Sequence, residues 1–210
     1  MGFLLLQYEY QRATRKYNSC IATGIRLDNR VERCTNRISK IESIYDKAET
    51  KLESKYTKLT SSMSQVFQSV IGQLYSADNS SLGNVLNPLN NTWGHVTCYG
   101  VSVDASVSAG LAEGVDSSTR QAAIAKIMSE INSVLTVMKE RLEAEQEFEQ
   151  TKLDQQEEEQ LEPIKTENTE LEAQQACNET LTTMWQTRRD NAKDRLGDNI
   201  QSSVAGFGLK

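Results

Sequence analysis

The chain has 210 residues, a formal charge of −6, 38% hydrophobic residues, 6% aromatics and only two prolines. Apolar content lies below that of an ordinary globular domain, about 45–50% on a scale that also counts glycine. This balance argues against one large apolar core and suits thin helical cross-sections in which most residues touch water.

Phe3, Leu4, Leu5 and Leu6 open the chain as a short apolar run. It has no basic flank and no small-residue cleavage site, so no Sec signal peptide is expected. Gly2 invites myristoylation, but the acceptor pattern asks for Ser or Thr where Leu6 stands. No stretch approaches the ~20 apolar residues of a membrane span, so membrane contact is not expected. The pattern favours an extracellular or surface assembly exported without a Sec signal over a cytoplasmic protein.

Residues 1–75 are expected to form one long N-terminal helix, regular from about residue 8. Apolar or small residues recur at alternating steps of three and four: Tyr10, Ala13, Tyr17, Cys20, Gly24, Leu27, Val31, Cys34, Ile38, Ile41, Tyr45, Ala48 and Leu52. After Tyr56 the alternation resumes through Leu59, Met63, Val66, Val70 and Leu74. That is the seam of a helix laid against another helix. The helix would be ~100 Å long at 1.5 Å per residue and has almost no core of its own. Its stability must come from partners.

Residues 76–117 are rich in Gly, Asn and Ser and carry neither Lys nor Arg. The turn-forming residues from Asp78 to Gly83 end the helix. Tyr99, Val101, Val103, Ala105 and Val107 alternate with small or polar residues, a strand period with one apolar face. This segment reads as an irregular or β-containing tip. His95, the only histidine, is expected to be buried and hydrogen-bonded near Trp93.

Residues 118–200 are expected to form a second helical arm. Ser118 to Gln121 match a capping box. Ile124, Met128, Ile131, Leu135, Met138 and Leu142 then form a second heptad stripe. Pro163 is expected to kink or break the arm, because proline removes a backbone bond and crowds the preceding turn. Leu171, Leu181, Trp185, Ala192 and Leu196 carry it on, with Gly197 as a C-cap. Residues 201–210 form an apolar tail holding Val204, Phe207 and Leu209.

The fold class is therefore all-α: an elongated antiparallel helical hairpin or coiled coil with a small tip. Matching the arms end to end places residue 152 opposite residue 40 and residue 182 opposite residue 10. Residues 10–40 hold eight bases against Asp28 and Glu32, whereas residues 143–162 hold nine acids against Lys152. The two runs are expected to face each other, within one chain or between chains.

Catalysis needs convergent groups in a pocket. One histidine, no Gly-rich phosphate loop and no Cys-x-x-Cys pair offer none, so no enzyme, cofactor, metal or small-molecule substrate is expected. Cys20, Cys34, Cys98 and Cys177 read as small core hydrophobes. Interspersed acids and overall acidity argue against nucleic acid. The sequons at Asn79, Asn90 and Asn178 read as chance matches.

What remains is a structural subunit that assembles with copies of itself into a filament or other surface or particle assembly; a soluble coiled-coil adaptor or a secretion-associated partner-binding protein is the alternative. The expected interface residues are Phe3, Leu4, Leu5, Leu6, Ile38, Ile41, Leu52, Ile131, Leu135, Val204, Phe207 and Leu209. In layout the chain resembles subunits of helical extracellular filaments such as flagellins and type III secretion filament proteins. That resemblance implies paired terminal helices at the assembly core and an outward-facing middle segment.

Overall fold

The computed structural model describes the backbone of residues 2–206 and the side chains of residues 2–203. Two long helices dominate: α1, Phe3–Leu74, and α4, Ser117–Gly206. Between them lie α2, Leu82–Leu86, a 3-10 turn at Asn87–Leu89, the strands β1, Thr92–Trp93, and β2, Val96–Thr97, and α3, Ala105–Ala109. The fold is a hairpin-like, all-α arrangement with a small strand-containing tip. The chain divides into two compact units, one made of Met1–Ser43 with Glu157–Lys210, the other of Ile44–Gln156.

Within the second unit the core has three contributors. Tyr56, Met63, Phe67, Val70 and Leu74 come from α1; Ile124, Ile127, Ile131, Met138 and Leu142 from α4. The connecting segment adds Leu82, Leu86, Leu89, Trp93, Cys98, Val107 and Leu111. Because that segment covers a second face of α4, Ile127 and Val134 join the core beside the expected stripe. The rings of Phe67 and Trp93 meet at 6.1 Å, tilted by 50°. Arg120 donates to the carbonyl of Ala77 at 2.8 Å and ties the start of α4 to the turn that follows α1.

The strand expected over residues 99–107 does not form. Val101 and Val103 instead lie as irregular backbone against the core, and residues 105–109 turn into α3. Among the described residues the only ladder is two residues long, with Trp93 opposite Val96 and Thr92 opposite Thr97. Gly94 and His95 close it in a two-residue turn. Gly94 has φ +62° and His95 does not have positive φ, the type II′ pattern in which glycine takes the first central place.

Within the first unit α1 and α4 pack antiparallel. Leu27 and Cys34 of α1 meet Ile164 and Leu171 of α4, flanked by Val31, Ile38 and Ile41. Every residue of the expected α1 seam, in both units, is buried or half-buried. On α4 of this unit the sheltered positions also alternate by three and four, from Glu157, Leu161 and Ile164 through Asn168, Leu171, Gln175, Asn178, Thr182, Trp185 and Arg189 to Ala192, Leu196 and Asn199. Many of these are polar. Leu181, expected to help carry this arm, is 41% exposed.

The boundaries of α4 also differ from expectation. It starts at Ser117, with the Asp116 carboxylate accepting the Ser118 hydroxyl, in place of a capping box at Ser118. It runs uninterrupted through Pro163 and Gly197. Packing on α1 by Leu161 and Ile164, on either side of the proline, offsets the single backbone bond lost there.

The register is displaced as well. Arg30 pairs with Glu167 at 3.1 Å, where a residue near 162 was expected. Glu49 meets Gln150 at 3.1 Å, where a residue near 143 was expected. The end-to-end count went wrong because it assumed that the helices end level. Among the described residues the basic and acidic runs therefore do not form a ladder within one chain. Among the described residues their interhelical ion pairs are Arg30–Glu167 and Lys55–Glu149, and neither joins one run to the other.

Candidate functional site

The expected interface residues fall into three groups. Ile131 is fully buried, and Leu135, Leu52, Ile38 and Ile41 are half-buried against the cores of their own units. These five hold the fold and leave little side chain for a partner. Leu6 is 4% exposed, so it belongs to the interior of the first unit and corrects the expectation of an outward apolar end at that position. Phe3, Leu4 and Leu5 are exposed, Leu4 by 79%. Tyr8, Ile21 and Ile25 on α1 and Leu181, Met184 and Ile200 on α4 add to the outward apolar surface of the same unit. The side chain of Val204, with Phe207 and Leu209, lies outside the described residues.

A second feature of the first unit is a cleft of about 360 Å³ lined by Arg12, Arg188, Arg195, Glu9, Trp185 and Asn191. Ala13 and Ala192 are its buried floor, and two such small side chains facing each other leave the space. The Arg188 guanidinium lies 5.0 Å from the Trp185 ring centre, a cation–π contact. Among the described residues, none of the three arginines has an ion-pair partner.

In the second unit the β1–β2 turn rests on α4. The backbone N–H of His95 donates to both carboxylate oxygens of Glu145, at 3.2 Å each. A side chain at position 94 would put its Cβ 3.2 Å from the same carboxylate, so glycine serves both the turn and the close approach. The His95 imidazole is not buried as expected. It is 82% exposed, with Nε2 3.9 Å from Glu145 Oε1.

Glu149 lies one helical turn further along α4, on the same face as Glu145. Both of its oxygens accept from Lys55 Nζ, at 3.1 and 3.0 Å. One ligand-type atom from each of His95, Glu145 and Glu149 falls within 4.8 Å of the others. Behind the carboxylates stands Tyr56, 2% exposed. Its hydroxyl is buried and makes no hydrogen bond of good geometry. Burial, and then the neighbouring Glu145 and Glu149 carboxylates, push its ionisation well above the ordinary phenol value.

An imidazole and two carboxylates are donors of the kind that hold divalent transition cations. Sequence reading missed this grouping because its partners lie fifty residues apart. The one local signal was Glu145 and Glu149 at a spacing of four inside an acidic run. Comparison of the chain with protein-family models, with curated proteins and with solved structures finds no match, so its function is argued from this geometry.

Proposed function

We propose that the protein is a non-enzymatic structural subunit that assembles with copies of itself, chiefly through the first unit. The observation that carries this reading is that large apolar residues lie outward there while polar ones take part of the α4 seam. The sheltered face of α4 holds Glu157, Asn168, Gln175, Asn178, Thr182, Arg189 and Asn199, while Phe3, Leu4, Leu5, Tyr8, Ile21 and Ile25 point outward from α1. Large exposed apolar surface of this kind marks an interaction face. Burial of each such side chain contributes about 1.5–3 kcal/mol before association costs. Charge supports a copy of the same chain as partner: among the described residues the basic run and the acidic run leave most of their groups without an ion pair inside one chain, and a staggered neighbour would bring the two together.

The test is the size of the particle in solution. Wild-type protein is expected to form large regular particles in light scattering and negative stain. Leu4→Ser with Leu5→Ser should reduce them to a small discrete species with near-normal helicity, because Leu4 is largely and Leu5 about half in water. Salt raised to about 1 M, where the Debye length is ~3 Å, should loosen the wild-type particles if the charge runs contribute. Large particles from the double variant would place the contacts elsewhere.

A second reading, a soluble coiled-coil adaptor, is favoured by the arginine-lined cleft, which has the charge and the aromatic wall to receive an anionic side chain of a partner. A discrete dimer or monomer of the wild-type chain would favour that reading over the first.

A further inference from the structure

The turn at Gly94–His95 is held on α4 more firmly than a two-residue ladder alone could hold it, since strand pairs this short are marginal. Its backbone is tied to Glu145, and its imidazole projects beside the same carboxylate. Glu145 and Glu149 crowd two negative charges together, and among the described residues Lys55 is the one ammonium paired with either. Behind them the Tyr56 hydroxyl is buried beside both carboxylates without a hydrogen bond of good geometry, an arrangement that costs stability unless the carboxylates are re-oriented toward it.

We propose that His95, Glu145 and Glu149 bind one divalent transition-metal cation, Zn²⁺ or a similar borderline ion, and so pin the hairpin turn to α4. His95 offers Nε2 of its neutral imidazole and each glutamate offers one oxygen. Water completes the four-coordinate set that such ions take. Lys55 gives up its hold on Glu149 as the cation enters, so ammonium and metal compete for one carboxylate. The Tyr56 hydroxyl supplies the outer hydrogen bond that orients a ligating carboxylate, a role that commonly accompanies metal-binding carboxylates. The softer cysteines are not part of the set. Cys98, the only one in this unit, is buried on the core side. The inference stands apart from the assembly reading, because it concerns the second unit and is read on soluble or assembled protein alike.

The experiment titrates Co²⁺ into the full-length protein by visible absorption and Zn²⁺ by calorimetry. Wild type is expected to take one equivalent, with no thiolate-to-cobalt charge-transfer band and a rise in Tm on Zn²⁺ binding. His95→Ala should weaken binding by at least about tenfold, in line with losses seen when metal-site hydrogen-bond partners are removed. Because the imidazole is exposed, the metal-free Tm of that variant should equal that of wild type. Lys55→Met should tighten binding by removing the competitor. Equal affinity in His95→Ala, a thiolate band, or weaker binding in Lys55→Met would overturn the proposal, as would no binding by wild type.

Discussion

Asn178 donates its side-chain amide to the backbone carbonyl of Cys20 across the helix pair, at 3.0 Å. The contact is possible because Gly24 leaves room: a Cβ there would stand 3.2 Å from the same amide nitrogen. A polar side chain at a seam position fixes the register of paired helices at some cost in stability. Asn178 with Gly24 is such a device in the first unit.

The pair can be tested by a double-mutant cycle. In an Asn178→Ala background, Gly24→Ala should gain about 1 kcal/mol from helix propensity. In the wild-type background the gain should be smaller, because the new methyl presses on the amide. Gly24→Val should cost about 1–3 kcal/mol by overpacking. Thermal melts of the variants measure the coupling, and strict additivity would mean that the two residues do not sense each other.

Core positions should separate sharply from surface ones. Ile131→Asp puts a carboxylate at a fully buried site and should unfold the second unit, at a cost of several kcal/mol. Phe67→Ala should cost about 3–5 kcal/mol through the cavity it leaves against Trp93. Ile38→Asp, half-buried, should cost less than Ile131→Asp, and Glu158→Ala, on the exposed face, should change the Tm little. Circular dichroism melts rank the four.

Register is checked by chemical cross-linking. Cysteines placed at Arg30 and Glu167 should join within one chain through a short thiol-reactive linker, because the native side chains touch at 3.1 Å. Arg30 with Glu162, the pairing expected from matched arm lengths, should join far more slowly. The reverse order, read by mass spectrometry, would restore the unshifted register.

Asp78 gives a pH signature. Hydrogen bonds from the Ser81 and Ser80 side chains and the Ser81 backbone lower its carboxyl from the ordinary value of 3.8 to about 2. A group with a depressed folded pKa contributes stability above its unfolded pKa and loses it as pH falls through the folded one. The advantage of wild type over Asp78→Ala should therefore be constant above about pH 5 and fade as pH falls from about 4 to 2. Paired thermal melts across that window measure it. A difference that grows toward low pH would contradict the assignment.

Much of α1 was legible because its seam is apolar for its full length, and burial follows the heptad steps residue by residue. The seam of α4 in the first unit was legible only in part. It keeps the same steps but places Asn168, Gln175, Asn178 and Arg189 on them, which hydrophobic periodicity does not register. The alternation at residues 99–107 misled because a period of two arises equally from an extended segment laid across helices with no strand beside it. The true ladder at Thr92–Thr97 is too short to show any period. The grouping of His95 with Glu145 depends on where the turn lands on α4, and no local pattern encodes that.

Three of the thiols place clocks in both parts of the fold. Cys177 is exposed and open to an alkylating reagent at once; Cys34 is sheltered in the first unit and Cys98 in the second. A buried thiol reacts only while its surroundings are transiently open, so its labelling rate records the free energy of that opening. Cys34 opens with a thin two-helix cluster of Leu27, Ile164 and Leu171, Cys98 with a three-sided apolar core. The molecule thus carries, without any engineering, a separate chemical readout of how often each unit breathes.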